Sequence, residues 1–272
     1  DKLFRRGALP NETITSGTPA AMQTQLDALA DTEIPDWPLG IRVEVATGSS
    51  DLELEADNIT FSSRCTLELE WQGTGVLTWV QRNGSSLDTS KIYASLGGTV
   101  TIVNSVPVVV TVKDVATGGV IEGARVLLTS DTGGSLPYQA SVTITRSSTT
   151  ATVTHTTHGF STGQKVLISG ASQYEYTGVK TITVTGTNTY TFSVSGSPAT
   201  PATGTITSTT VLAEDLTDVA GQLTTELRYS SDQPVGGRVR RGTDTPFYRT
   251  QRISSTITEA GLNLTILMVK DE

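Results

Sequence analysis

Residues 108–128, VVVTVKDVATGGVIEGARVLL, constrain the fold of this chain more than any other stretch. A β-branched run leads into the glycine-bearing segment 114–119, and an apolar run resumes at Val120. This pattern predicts strand, glycine turn and strand, which we interpret as the opening hairpin of a β-sandwich. Its continuation, a Thr-Asp-x-x-Gly turn followed by a strand, arrives only at residues 217–227. The sequence between these two parts must therefore contain an insertion.

Composition limits the partners of the chain. The formal net charge of −8 disfavours nonspecific nucleic-acid binding, which needs a positive surface, so no direct nucleic-acid partner is expected. Cys65 is the single cysteine, so no internal disulfide forms, and stability has to come from packing or from assembly with other chains. The longest apolar run, residues 106–112, is too short to cross a bilayer, so no membrane partner is expected.

The first part of the chain, residues 1–40, is predicted to be an arm followed by a short helix. Residues 1–17 show no periodicity, and an extended arm with apolar side chains usually lies on its own domain or on a neighbouring subunit. Thr18 and Pro19 supply an N-cap and a first helical position, and Met22 and Leu26 follow at helical spacing. The arm residues that we predict to lie in an interface are Lys2, Phe4, Arg5, Arg6 and Leu9.

Short alternating segments in residues 41–104 predict a small β domain. Residues 41–45, 52–56 and 65–71 alternate apolar and polar side chains, and glycine turns separate them from further short strands. In the third segment the alternation places Glu68 and Glu70 on the face opposite the apolar residues. A domain this small often completes its core by oligomerising, and we expect a homotrimer by analogy with viral proteins.

The predicted sandwich comprises residues 105–141 and 208–272. Its last strand places Leu262, Leu264, Ile266 and Met268 on one face, so that face is expected to be buried. Between the two parts lies a small β module, residues 142–207, which we expect to project as a knob because an insertion leaves and re-enters the sandwich at one edge.

This inserted module resembles a β module that recurs in tailed-bacteriophage structural proteins. The resemblance rests on motifs spread across it, namely His158-Gly159-Phe160, Gly163-Gln164-Lys165-Val166, Ile168-Ser169-Gly170, Tyr176-Thr177-Gly178, Tyr190-Thr191-Phe192 and Pro201-Ala202-Thr203-Gly204. Similar modules are sometimes labelled after a domain of ubiquitin-activating enzymes, but the only cysteine lies outside it and no catalysis is implied. The flanking sandwich is similar to the Ig-like or carboxypeptidase-regulatory-like sandwiches that also occur on virions.

Candidate catalytic and metal-binding patterns are weaker than their structural alternatives. His155 and His158 lack a Cys or a third His to complete a typical zinc set, and His158 is better explained as a turn residue before a glycine. No Gly-x-Ser-x-Gly elbow is present, which disfavours a serine nucleophile. Four glutamates resemble paired carboxylates of glycoside hydrolysis, but their alternation with apolar residues favours a solvated sheet face; they are Glu53, Glu55, Glu68 and Glu70. No catalytic, metal or cofactor site is therefore predicted.

Two further groups of residues are candidates for binding. Arg238, Arg240 and Arg241 form the densest positive cluster, and Arg249 and Arg252 follow not far along the chain. This cluster is suited to an acidic surface on a neighbouring subunit, although a solvated strand edge protected by charge explains it equally well. Trp71, Trp79 and Tyr93 resemble a sugar-stacking platform, but aromatic residues in short alternating strands usually belong to the core.

These patterns predict an all-β protein with a small N-terminal β domain, an Ig-like β-sandwich with an inserted small β module, and one short N-terminal helix. The resemblance implies a virion structural protein, not an enzyme, that acts by association with itself and with other capsid or tail subunits. A capsid-associated or decoration role is favoured over a tail or neck position. The alternative from another class is a host glycan-binding adhesin or receptor-binding protein.

Overall fold

The structure is a computed structural model that describes residues 10–16, 18–45, 51–243 and 245–271. It confirms an all-β fold, with one α-helix among the described residues. The chain divides into two compact units, the first formed by Asp1–Val106 with Arg228–Ser230 and the second by Pro107–Leu227 with Ser231–Glu272. No helix in the described part of the chain has the length and apolar character needed to cross a membrane.

The elements follow one another in chain order. Those that begin in the first unit are β1 (Pro10–Ser16), α1 (Pro19–Asp27), β2 (Glu33–Ile34), β3 (Leu39–Val45), β4 (Leu52–Asp57), β5 (Thr60–Phe61), β6 (Leu67–Gln72), β7 (Val76–Arg82), β8 (Ile92–Ala94) and β9 (Thr99–Asp114). Those that begin in the second unit are β10 (Arg125–Ser130), β11 (Ala140–Ser141), β12 (Thr143–Ser147), β13 (Thr150–Thr154), β14 (Lys165–Ala171), β15 (Gly178–Thr181), β16 (Thr183–Gly186), β17 (Thr189–Ser193), β18 (Gly204–Leu216), β19 (Gln222–Tyr229), β20 (Gln233–Arg241), β21 (Tyr248–Ile257) and β22 (Leu262–Met268).

The first unit is a parallel β-solenoid. One sheet has the order β1-β3-β6-β8, β4 pairs with β7 and β7 with β9, and every one of these pairings is parallel. Since parallel neighbours need a long crossover, each coil of chain stacks on the previous coil. Apolar side chains then stack across the coils: Val43 lies opposite Trp71, and Leu54 opposite Trp79. All four of these residues are almost fully buried and belong to one core.

The helix α1 closes the first coil of the solenoid. The Thr18 side chain accepts a hydrogen bond from the backbone N–H of Ala21, and Pro19 is the first helical residue, as the sequence predicts. Met22 and Leu26 bury their side chains in the solenoid core. The helix thus contributes the apolar cover that a further coil would supply.

Residues 10–16 are not part of an extended arm. They form β1, which pairs in parallel with β3, and Ile14 is buried in the solenoid core. An N-terminal strand with a buried side chain is held by its sheet, so the prediction of an arm is wrong from Pro10 onward.

The prediction of a solvated face for Glu68 and Glu70 is also wrong. Both residues are buried, Glu68 within an ion pair with Lys91 (3.0 Å) and Glu70 within one with Arg42 (2.7 Å). β6 is a central strand of a parallel sheet, and such strands are covered on both faces whatever their alternation suggests.

The second unit contains two antiparallel sheets. One has the order β15-β14-β18-β10-β20-β21, with β11 also paired to β18, and the other has the order β12-β13-β17-β16. In addition, β22 runs parallel to the C-terminal half of β9, from Leu262 opposite Val108 to Met268 opposite Asp114. Leu262 and Met268 are buried while the intervening side chains alternate in exposure, which agrees with one buried face on the last strand.

Residues 108–128 do not form a hairpin. β9 pairs with β22, whereas β10 pairs with β18 and β20, so the two strands lie in different sheets. The predicted turn itself is present, because Lys113 and Val120 form an antiparallel bridge and the Asp114 and Ile121 N–H groups donate to the Gly119 and Val112 carbonyls, but the pairing does not continue into β10. The glycine turn therefore connects two strands that belong to different sheets.

The inserted module has a core of its own but shares a sheet with its neighbours. Buried apolar residues from 142–206 form one cluster that includes Phe160, Tyr176, Tyr190 and Phe192. At the same time β14 pairs with β18 from Lys165 opposite Val211 to Ala171 opposite Gly204. The module is thus continuous with the larger sheet through β18 and does not project on a separate stalk.

Candidate interaction surface

Basic side chains follow one face of the larger sheet in the second unit. On β20 the apolar residues Val235 and Val239 are buried, so Arg238 and Arg240 lie on the opposite, exposed face. The preceding Gly237 has a φ of +150°, and a Cβ there would approach the Leu127 carbonyl oxygen to 2.0 Å. This close approach explains the glycine that precedes the arginines.

Two pairs of arginines on this face lie directly opposite each other across the strands. Arg240 on β20 faces Arg125 on β10, and Arg238 faces Arg252 on β21. Cross-strand neighbours interact through their side chains, and like charges in this arrangement are destabilising. The sheet therefore concentrates positive charge in a chain whose formal net charge is −8.

One carboxylate compensates part of this charge. Glu214 on β18 pairs with Arg125 and, over 3.3 Å, with Lys165 on β14. Burial alone would raise the pKa of Glu214, but the hydrogen bonds from the two cations lower it below its ordinary value. Glu214 thus remains a carboxylate between two cations.

The other three arginines have no such partner. Arg238, Arg240 and Arg252 are exposed, and no carboxylate of the described residues forms an ion pair with them. We call the exposed set the basic stripe; its members are Arg125, Lys165, Arg238, Arg240 and Arg252. The chemistry available to it is the binding of carboxylate, phosphate or sulfate groups by arginine forks.

The structure separates the arginines that the sequence groups together. Arg241 donates a hydrogen bond to the Pro246 carbonyl (3.1 Å), and its guanidinium lies 5.9 Å from the centre of the Tyr248 ring. Arg249 pairs with Asp271 over 3.2 Å. The interpretation of Arg238 and Arg240 as part of a protected edge is wrong, because β20 pairs with a strand on each side.

Sequence reasoning missed Arg125 and Lys165. Both lie more than sixty positions from β20, and each stands alone at the start of an otherwise apolar or neutral strand. Only the pairing of β10 and β14 with their neighbours places them on the stripe. The arm residues Lys2, Phe4, Arg5, Arg6 and Leu9 lie outside the described residues.

The two histidines form part of an aromatic cluster with Phe160 and Tyr190. His158 accepts a hydrogen bond at Nδ1 from the Phe160 backbone N–H (2.9 Å), and its Nε2 lies 3.1 Å from the Gly186 carbonyl oxygen. A carbonyl can only accept, so His158 is the neutral tautomer protonated on Nε2. Both of its nitrogens are used, and the described residues include no group of three or more potential metal ligands.

The second histidine is buried with an unsatisfied nitrogen. His155 is 4% exposed and packs against the rings of Phe160 and Tyr190, and its Nδ1 finds no hydrogen-bond partner within the part of the chain that the structure describes. Burial lowers the pKa of His155, and the proximity of His158 lowers it further. His155 is therefore held neutral within the module core.

The aromatic residues considered for sugar stacking lie mostly in the core. Trp71 and Trp79 are 0% and 1% exposed, and the Trp71 indole N–H donates to the Gly75 carbonyl over 3.0 Å. Tyr93 is half-buried on β8. The prediction that these tryptophans serve packing is confirmed.

No protein family profile and no curated protein matches the chain. Among solved structures, a phage phi92 endosialidase is similar over 54% of this chain and 27% of its own, with 18% sequence identity and a TM-score of 0.22. The shaft pilin SpaA from Lactobacillus rhamnosus GG is similar over 68% of this chain and 54% of its own, with 10% identity and a TM-score of 0.25. The chain thus spans about a quarter and about half of these two proteins. Similarity at these TM-scores carries no argument about function.

Proposed function

We propose that this chain is a structural component of a tailed-bacteriophage virion, with a capsid-associated or decoration role exerted through subunit association. The observation that carries the proposal is the inserted module. Its motifs resemble those of a module recurrent in phage structural proteins, and their aromatic residues share one core, with Phe160, Tyr176, Tyr190 and Phe192 all buried. Residues that carry the resemblance therefore serve the packing of a single β unit.

The chemistry of the described residues supports association in place of catalysis. Cys65 is buried and its pKa is raised, first by burial and then by the charge of Glu68, which opposes formation of a reactive thiolate. The histidines are engaged in the module core as described above. The charged groups that remain available lie on open sheet faces, where a neighbouring subunit can reach them.

Association with copies of itself and with other virion proteins follows from this role, and a homotrimer remains our proposal for its symmetry. A solenoid with parallel strands and an antiparallel sheet both offer extended surfaces for such contacts. No cofactor, membrane or direct nucleic-acid partner is part of the proposed mechanism.

Immunolabelling of particles tests the proposal directly. Antibodies raised against the purified chain should label intact tailed particles prepared from a lysate of the strain that encodes it. Label on the head supports the decoration role, and label on the tail or neck supports the alternative structural position. Particles without label, from a lysate whose soluble fraction contains the chain, would contradict a virion role.

A glycan-binding adhesin is the alternative that one observation favours. Tyr174 lies in the inserted module with 79% of its surface exposed, and exposed aromatic rings can stack on sugars. A glycan array probed with the wild-type chain and with Tyr174→Ala distinguishes the two roles. Specific binding that the substitution abolishes would favour the adhesin.

A further inference from the structure

The arginines of the basic stripe repel one another in the isolated chain, and an anionic partner would relieve this repulsion. Arg125 and Arg240 face each other, as do Arg238 and Arg252, and only Arg125 among them has a carboxylate partner in the described residues. Like charges in directly opposed positions cost free energy in the isolated sheet. An acidic surface brought against the stripe would remove that cost.

The first unit of the same chain provides a surface of opposite charge. Residues 1–106 and 228–230, which form this unit, contain eight Lys or Arg against fourteen Asp or Glu. The first unit therefore has an excess of acidic residues, whereas the second unit presents the basic face of a sheet. Such separation makes a second copy of this chain the partner whose charge fits best.

Acidic side chains of the solenoid line an open groove beside α1. The groove has a volume of about 430 Å³, and its carboxylates are Asp27, Glu53 and Glu55. Arg228 pairs with Glu53, and Arg82 pairs with Glu55 over 2.7 Å. Asp27 instead accepts a hydrogen bond from the neutral amide of Gln23 (2.6 Å).

Asp57 extends this acidic surface along β4. It accepts a hydrogen bond from the Asn83 amide (2.6 Å), and no ion pair joins it or Asp27 to a Lys or Arg among the described residues. Alternate residues on a strand are about 6.6 Å apart, so Glu55 and Asp57 have the same spacing as Arg238 and Arg240. Two rigid strands can thus present matched rows of carboxylates and guanidiniums.

We propose that the basic stripe of one copy docks on the acidic groove and β4 of a second copy. The inference rests on the proposed role in subunit association and names the two surfaces involved. Because the surfaces differ, the contact is heterologous and leads to a ring, such as a trimer, or to an open filament. Arginine forks that meet carboxylates across the contact make its strength dependent on ionic strength.

Charge reversal on each surface tests the contact. Wild-type chain is examined by light scattering and sedimentation equilibrium at about 50 mM and 500 mM salt, a change that shortens the screening length severalfold. We expect an oligomer at low salt that dissociates at high salt. Arg238→Glu/Arg240→Glu and Asp27→Lys/Asp57→Lys should each weaken association by more than about 100-fold, because they place like charges in contact.

Matched controls separate the contact from net charge and from folding. Arg64→Glu/Arg249→Glu and Glu33→Lys/Glu259→Lys change the net charge equally at exposed sites elsewhere and should associate like the wild type. Each variant must also keep the circular dichroism spectrum of the wild type and a melting temperature within a few degrees of it.

The decisive sample is an equimolar mixture of the two charge-reversed variants. Each alone should be a monomer, and the mixture should associate in a 1:1 ratio, because the intact stripe of one variant meets the intact groove of the other.

Other outcomes overturn the inference. An oligomer that both variants retain means that association uses another surface, and the proposed virion role then still stands on particle labelling. A wild-type chain that is monomeric at both salt concentrations and binds heparin or DNA through the stripe would assign the stripe to a polyanion. A wild-type monomer without such binding would also remove the self-association on which the inference rests.

Discussion

The Tyr248 hydroxyl donates a hydrogen bond to Oδ2 of Asp114 over 2.9 Å, although 134 positions separate the two residues. Oδ1 of the same carboxylate accepts from the backbone N–H groups of Ala116 (2.7 Å) and Thr117 (3.1 Å), and Lys270 lies 3.3 Å from Oδ2. Asp114 is 3% exposed. One buried carboxylate thus joins the end of β9 to β21 and to the C-terminal segment.

Tyr248→Phe removes one donor from this carboxylate without changing the ring. We expect the free energy of unfolding to fall by about 1 kcal/mol, because a buried acceptor loses a hydrogen bond that water does not replace. Urea denaturation at pH 7 measures the change. Tyr174→Phe, at an exposed tyrosine, serves as the control and should leave stability unchanged; equal effects of the two substitutions would contradict the prediction.

Asp114 also predicts a loss of stability in acid. The hydrogen bond from Tyr248, followed by those from Ala116 and Thr117, lowers the pKa of Asp114 from 3.8 to about 2. The folded state then binds this proton less readily than the unfolded state, so the stabilisation is present above pH 4 and is lost as the pH falls towards 2. Asp114→Asn should be less stable than the wild type at pH 6, with the difference shrinking by pH 2 to 3. A constant difference would show that ionisation is not involved.

His155 predicts a second pH dependence, at higher pH. Burial, followed by the electrostatic interaction with His158, lowers the pKa of His155, so the unfolded state binds the proton first as the pH falls below about 6.5. Stability is therefore complete above that value and decreases towards pH 5. His155→Leu should reduce this decrease in urea denaturation between pH 7.5 and 5. A decrease in stability that His155→Leu leaves unchanged would contradict this prediction.

Gln23 completes the hydrogen bonding of a strand edge in the solenoid. Its amide donates to the Glu55 carbonyl and accepts from the Glu55 N–H, both over 2.8 Å, as a neighbouring strand would. Gln23→Ala should lower the free energy of unfolding by about 1 to 2 kcal/mol, because it removes these two bonds together with the bond to Asp27. Gln23→Glu keeps the acceptor but removes the hydrogen bonds donated to the Glu55 carbonyl and to Asp27, because a carboxylate cannot donate. Gln23→Glu variants as stable as the wild type would argue against this pairing.

Arg42 is predicted to compensate a buried carboxylate. Glu70 is 2% exposed and pairs with Arg42 over 2.7 Å. Arg42→Met leaves this charge without its partner. We expect the free energy of unfolding to fall by up to about 3 kcal/mol, because solvent around the partly exposed Arg42 already weakens the ion pair. Arg42→Met/Glu70→Gln should recover part of the loss, because the second substitution removes the unpaired charge. A double variant less stable than the single one would contradict this explanation.

Local features of the fold were predictable because they depend on neighbouring residues. Thr18 and Pro19 begin α1 as expected, since a side-chain cap and a proline act within one turn. The segments at 41–45 and 52–56 form β3 and β4, since alternation is a local property of a strand. These signals also sufficed for the all-β class.

Partners across strands were not predictable from the same signals. Residues 108–128 have the pattern of a hairpin, yet Val108 pairs with Leu262 in a parallel arrangement that no nearby residue indicates. Glu68 and Glu70 alternate as in a half-exposed strand, but the parallel neighbours of β6 bury both. In each case the local sequence specifies that a strand forms, whereas segments far along the chain determine its partners and its burial.

The sequence by itself determined the strands, the capped helix, the module motifs and the excess of negative charge. Only the tertiary structure decided that the first strands stack in parallel as a solenoid, and that Arg125 lies opposite Arg240. The physical reason is that periodicity and capping act over a few residues, whereas pairing depends on the burial that distant segments achieve together. Strand register then determines which charges become neighbours, and with it the surface available to a partner.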